Sequence, residues 1–241
     1  MTTDFSWLSR TTLLIGKKAV QRLAASHVLV AGMGGVGSFA AEFIARAGVG
    51  KMTIVDGDVV DPTNRNRQLP ALATNHGIPK ADIMADRIKA INPEVALNVV
   101  KSFIEPQMVA ELLALNPDYM IDAIDSITPK LSFIRQACQS GLPFVSSMGA
   151  GGKLDPTALR VADISKTYNC PFAQQVRKQL KTFGIYNGFD VVFSPETQIK
   201  ESLMLTDGTR YKKSAYGTIS YLPATFGAVA ASVAIRKIIS G

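Results

Sequence analysis

Four glycines, Gly32, Gly34, Gly35 and Gly37, crowd the stretch VAGMGGVGSF, and an acid, Asp56, follows the last of them after nineteen positions. Glycines in that cadence let backbone amides at a helix N-terminus approach phosphate oxygens, and a carboxylate ending the next strand can bond ribose hydroxyls. On this spacing alone a nicotinamide dinucleotide and a nucleoside triphosphate fit equally well. Just downstream, DPTNRNRQ and GIPKAD add Asn64, Arg67, Gln68 and Lys80, an excess of cations and amide donors. The glycine turn already serves a dinucleotide's pyrophosphate. A triphosphate under attack needs further positive charge where its phosphorus gains negative charge. The segment DYMIDAIDS then supplies Asp122 and Asp125. A carboxylate there can hold Mg2+ against phosphate oxygens; the competing role for Asp125 is to cap the helix that starts near Thr128.

These residues need a frame. Apolar runs at 27–31, 52–56, 95–100, 118–124 and 143–148 read as strands, and the patterns at 37–47, 79–91, 106–115 and 128–140 read as helices covering them. Pro79 suits a first helical turn. This is a doubly wound, Rossmann-like α/β fold with a largely parallel sheet, whose ligands sit beyond the carboxyl ends of the strands. After Met148 the rhythm changes. GAGGKLDPT forms a turn, followed by a strand near 158–162, a helix around 171–182, a strand at 190–194, a polar loop and an Ala-rich last helix. With no linker between them, residues 1–26 (an N-terminal helical arm), 27–150 (a nucleotide-binding core) and 151–241 (a basic lobe) are expected to form a single domain, the lobe being an extension that completes it.

The chain has 241 residues, 47% of them hydrophobic, and a formal charge of +7. Residues 151–241 hold 12 basic and 6 acidic side chains, which suits an anionic partner such as RNA, or a solvated face used for solubility. Only Cys138 and Cys170 are present, excluding a disulfide framework and a four-thiolate zinc site. The opening MTTDFSWLSRTTLL has no basic n-region, so a cytoplasmic location is expected. The apolar run TISYLPATFGAVAASVAI contains Pro223 and Gly227 and reads as a helix of a core or a dimer seam, with no membrane partner. His27 and His76 belong to no ligand cluster, Cys138 falls in an apolar helical pattern and is expected in the core, and Phe5 and Trp7 could stack on a base but are expected instead to bury the N-terminal helix.

Taken in order, GMGGVGS, the acid of IVDGD, NRNRQ, Lys80 of PKAD and Asp125 of DAIDS resemble the ubiquitin-activating-enzyme-like superfamily of adenylating enzymes over residues 28–126. The resemblance implies ATP and Mg2+ as cofactors. It casts Gly32, Gly34, Gly35, Gly37, Asp56, Asn64, Arg67, Gln68 and Lys80 as nucleotide-binding, Asp125 as the metal ligand, and Arg67, Lys80 and Asp125 as catalytic. The upstream LSRTTLLIG is similar to the superfamily's N-terminal helix, making Arg10 a catalytic arginine that reaches a partner subunit's triphosphate within a homodimer. Carrier activators of the superfamily commonly show paired CxxC motifs, which two isolated cysteines cannot supply. DAIDSITPK, GAGGKLDPT and TFGAVAASVAIRKI instead resemble its bacterial tRNA threonylcarbamoyladenosine dehydratase branch. That branch adenylates the carboxylate of threonylcarbamoyladenosine in tRNA and lets it cyclise, releasing pyrophosphate and AMP without an enzyme thiol.

On that reading Arg177, Lys178 and Lys181 offer a track for the tRNA backbone, and a sulfur-relay protein is a possible further partner. Cys170, at a helix start where a thiolate is favoured, is either a covalent nucleophile or, as preferred here, a packing or capping residue. Three other functions compete: an activator of a small ubiquitin-like sulfur-carrier protein, a nicotinamide-dependent oxidoreductase, and an RNA-binding scaffold with an idle nucleotide pocket.

Overall fold

The computed structural model describes residues 6–205 and 214–241. Seven strands form one sheet in the order β3-β2-β1-β4-β5-β7-β6. They are β1 (His27–Ala31), β2 (Lys51–Val55), β3 (Ala96–Val100), β4 (Tyr119–Asp122), β5 (Phe144–Ser147), β6 (Arg160–Asp163) and β7 (Asp190–Phe193). All pairings are parallel except that of the edge strand β6 with β7. The chain leaves β1 for β2 on one side and later returns to β4 on the other, so a crevice opens between the carboxyl ends of β1 and β4.

Eight α-helices are described: α1 (Ser9–Ile15), α2 (Lys17–Ala25), α3 (Gly37–Arg46), α4 (Lys80–Ile91), α5 (Pro106–Ala114), α6 (Ile127–Ser140), α7 (Pro171–Lys181) and α8 (Tyr221–Ser240). Every residue of β1 is buried, because both faces of the sheet are covered and alternation is lost. On one face α3, α4 and α8 meet the sheet through Ala41, Ile44, Met84, Ile88, Phe226 and Ala230. On the other, α5, α6 and α7 do so through Leu112, Phe133, Ile134, Ala137, Val176 and Leu180. Glu42 of α3 receives Arg46 and also Arg87 of α4, fixing the helix that begins with Lys80 against the helix that follows the glycine turn.

The last helix, α8, is long and apolar enough to cross a bilayer. It nevertheless buries Leu222, Phe226, Ala230, Ala231, Val233 and Ala234 in the core and lies along α3 and α2. Gly227 is what permits the approach to α3: a Cβ there would stand 2.4 Å from the Val36 carbonyl oxygen.

Several expectations need correction. The polar loop after β7 contains a two-stranded antiparallel hairpin, β8 (Leu203–Leu205) with β9 (Ser214–Tyr216). Pro79 caps α4 with extended ψ instead of occupying its first turn. Trp7 is 45% exposed, whereas Cys138, partly buried, packs against the core beneath α6 as its apolar pattern implies. Phe5 lies outside the described residues.

Candidate active site

Gly32 follows β1 with φ +94°, a left-handed conformation that glycine alone adopts cheaply. The turn then doubles back so tightly that a Cβ on Gly37, the first residue of α3, would lie 1.7 Å from the Gly32 carbonyl oxygen. Gly34 is the open position, where an added methyl would meet only Gln68 Nε2 at 3.9 Å. Ser38 and Ala40 in the first turn of α3 donate back to the Gly34 and Val36 carbonyls at 3.2 and 3.0 Å, tying the helix to the glycine turn, and the positive end of the helix dipole stands behind that turn, an arrangement suited to phosphate.

The other sequence-selected residues gather around this turn. Asp56 accepts the Met33 N–H at 2.6 Å on one carboxylate oxygen and the Asp58 N–H at 2.7 Å on the other. Burial pushes its carboxyl upward, against the charge of Lys80 and these two backbone bonds. Lys80, itself buried, donates to Asp58 Oδ2 at 3.1 Å. Arg67 holds the Thr63 carbonyl and the Asn66 side chain, and its own carbonyl lies 3.3 Å from the position of a Gly35 Cβ. Burial lowers the Arg67 guanidinium, and the Asp125 carboxylate opposes that shift. Gln68 carries a buried Oε1 that has no partner among the described residues, as expected of a group suited to a ligand donor. Asn64 is committed locally: its Oδ1 accepts the Asp61 N–H at 3.2 Å in a capping box. From the opposite side the turn after β4 closes in, the Ala123 carbonyl standing 3.0 Å from where a Gly32 Cβ would be.

One family model, described as the ThiF family, matches residues 8–241. The chain belongs to the ThiF family. Among its relatives is the tRNA threonylcarbamoyladenosine dehydratase of Escherichia coli (strain K12), 40% identical over 258 residues, spanning 98% of this chain and 95% of that protein. The enzyme of the same name from Bacillus subtilis (strain 168) is 46% identical over 191 residues, spanning 79% and 75%. The crystal structure of E. coli tRNA N6-threonylcarbamoyladenosine dehydratase in complex with ATP superposes with a TM-score of 0.91, covering 100% of this chain and 97% of that one.

Within this ThiF-family site, three residues were not singled out from sequence. Asp58 is the anchor of Lys80. Lys130 is wholly buried and donates to Asp122 Oδ2 at 2.5 Å and to Ser146 Oγ at 3.1 Å. Lys153, 1% exposed, donates to the Ser194 carbonyl at 2.6 Å; burial lowers its ammonium, with Cys170 and Glu196 opposing. Asp58 stands in the quoted IVDGD and the two lysines in DAIDSITPK and GAGGKLDPT, but nothing local in those strings marks burial.

The remaining candidates separate. Arg10 sits exposed on α1, which packs on α2 and the Ser6–Leu8 turn and presents Leu13 and Leu14 at 87% and 85% exposure. Lys178 and Lys181 are exposed on α7, whereas Arg177 is turned inward to the Thr167 carbonyl and hydroxyl. Arg177 is thus less accessible to an anionic partner than its neighbours. Cys170 is buried at the start of α7 and makes no side-chain cap bond. A thiol so enclosed cannot readily receive an acyl group, so Cys170→Ser is expected to keep most of the turnover. A loss of several orders of magnitude, with fold and ATP binding intact, would instead assign Cys170 a covalent role.

Proposed function

We propose that the protein is an ATP-dependent tRNA threonylcarbamoyladenosine dehydratase. The observation that carries this reading is the convergence of Arg67, Gln68, Asp56 and the Asp125 turn on one glycine turn, in a fold shared with an ATP-bound relative. The substrate carboxylate attacks the α-phosphorus of ATP, and pyrophosphate leaves. An internal nucleophile of the modified base then attacks the acyl-adenylate, closing a ring and expelling AMP. The glycine turn with the N-terminal end of α3 behind it, Lys80 and Arg67 would face the charge that grows on the phosphate oxygens.

Magnesium fits this donor set. No group of three acidic, His or Cys side chains able to hold a metal occurs among the described residues. Mg2+ commonly takes one carboxylate and draws its other ligands from phosphate and water. Asp125 would hold it, and the ion would supply charge neutralisation at the triphosphate. Asp56 would orient the ribose, with Lys178 and Lys181 along the tRNA backbone.

Nucleoside mass spectrometry of modified tRNA incubated with the protein and ATP tests the reading. The expected product is threonylcarbamoyladenosine lighter by one water. Unchanged nucleoside together with adenylation of a small carrier protein's C-terminus would replace it.

The exposed α1 motivates a two-fold homodimer in which Arg10 completes the neighbour's site. Arg10→Ala and Lys80→Ala subunits, each inactive alone, are then expected to regain activity when mixed, because one site of each heterodimer carries neither defect. Sedimentation of a fully active monomer would overturn this sharing.

A further inference from the structure

Asp122 and Lys130 stand eight positions apart, the first ending β4 and the second in the first turn of α6, and their side chains meet at 2.5 Å with neither exposed to solvent. They close a short loop, and Asp125 lies inside it. The tie is multiple. Asp122 accepts the Ile124 N–H on Oδ1 at 3.0 Å, and its Oδ2 also accepts the Ser146 hydroxyl at 2.6 Å. Lys130 bonds the same hydroxyl oxygen and lies over the Phe172 ring of α7 at 5.9 Å. The Ala123 N–H donates to the Ala31 carbonyl at 2.9 Å, registering the loop against the end of β1, where the glycine turn begins.

Such a buried pair is a poor device for stability, since desolvating both charges costs about as much as their attraction returns. It is a good device for geometry. An ammonium with three donors, enclosed on every side, leaves the 122–130 loop one arrangement. The Asp125 carboxylate opposes the lowering that burial imposes on both Arg67 and Lys130, so its charge acts on the guanidinium near the glycine turn and on the ammonium of the clamp alike.

We propose that Lys130 is a positioning residue for adenylation: by clamping Asp122 from the first turn of α6, it fixes the loop that presents Asp125 to the nucleotide turn. This rests on the function proposed above, in which Asp125 serves the triphosphate. Lys130 itself touches neither nucleotide nor acceptor.

The test uses the full-length protein with both charges removed together, Asp122→Asn/Lys130→Met, because Lys130→Met alone would strand a buried carboxylate. Hydrogen exchange of peptides spanning 122–130 is expected to speed up by roughly tenfold or more while the rest of the sheet keeps its protection. Turnover of AMP release with modified tRNA is expected to fall by about tenfold or more, with ATP affinity within about threefold of wild type. Added to Asp125→Ala, the pair change is expected to cost little further turnover, since the residue it positions is already gone. Unchanged exchange at 122–130, exchange that rises across the whole sheet, or turnover losses that multiply with Asp125→Ala would each overturn the clamp. If wild-type protein released no AMP with modified tRNA, the function reading would fall, while the exchange experiment would still decide whether Lys130 fixes this loop.

Discussion

Asp125→Ala will lower the adenylation rate by roughly 100- to 1000-fold while leaving ATP affinity within a few-fold of wild type. The carboxylate lies near Arg67, and removing it leaves that guanidinium more available to the ground-state triphosphate. Binding would then be sustained by the N-terminal end of α3, Lys80 and Arg67. What is lost is the support for charge that grows only as the α-phosphorus is attacked, through the magnesium ion that Asp125 would hold. Asp56→Ala is expected to fail in the other way. Its two oxygens anchor the Met33 and Asp58 amides, so its loss slackens the glycine turn and weakens nucleotide binding first. Calorimetric titration with ATP and AMP release with modified tRNA separate the two cases. A folded Asp125→Ala protein with wild-type turnover would remove the magnesium assignment.

The second large effect falls on Gly37. In Gly37→Ala the new Cβ would stand 1.7 Å from the Gly32 carbonyl oxygen and 3.0 Å from Ala123 Cβ, both on packed main-chain segments that have nowhere to retreat. The turn must open to admit it. We expect a destabilisation of about 3 kcal/mol or more, read as a Tm lower by roughly 6–12 °C for a chain of this length. Each amide-to-phosphate bond lost is worth about 1.5–3 kcal/mol, so ATP affinity should fall by roughly 100-fold or more. Gly34→Ala is the internal control for the fold: its methyl meets only Gln68 Nε2, at 3.9 Å, and Tm should hold. A Gly37→Ala protein as stable as Gly34→Ala would show that the turn yields more easily than its packing indicates.

Much of this architecture could be read from the chain because its signals are local. β1 is a run of five residues buried on both sides, and such runs announce central parallel strands whatever surrounds them. Gly32 and Gly37 declare a turn that other residues cannot make, and Asp56, Lys80 and Asp125 fall at element ends, where a doubly wound sheet collects its ligands. What escaped was decided by partners distant in sequence or by packing. Lys130 reads as one more solvated helix residue until β4 is laid beneath α6 and Ser146 arrives from β5. Lys153 sits in a glycine-rich turn that gives no sign of the Ser194 carbonyl waiting at the end of β7. Arg177 follows the basic pattern of α7, yet the helix's rotation directs it onto Thr167. The β8–β9 hairpin begins with three exposed residues, Leu203, Met204 and Leu205, too short and too unpatterned to separate from loop.

The seat of α8 has a consequence for how the molecule comes into being. This helix is made long after α3, yet Gly227 rests on Val36 and Pro223 on the position of a Gly35 Cβ, so the glycine turn receives its backing from the far end of the chain. Arg22 of α2 closes the same seam by holding the Ile239 carbonyl at 2.7 Å. A nascent chain halted before Tyr221 would leave the apolar flank of α3 uncovered and the glycine turn without this backing. Contacts of such sequence separation are closed late and slowly, and exposed apolar flanks invite association meanwhile. Any ligand held by the glycine turn would by mass action stabilise the state in which α8 is seated.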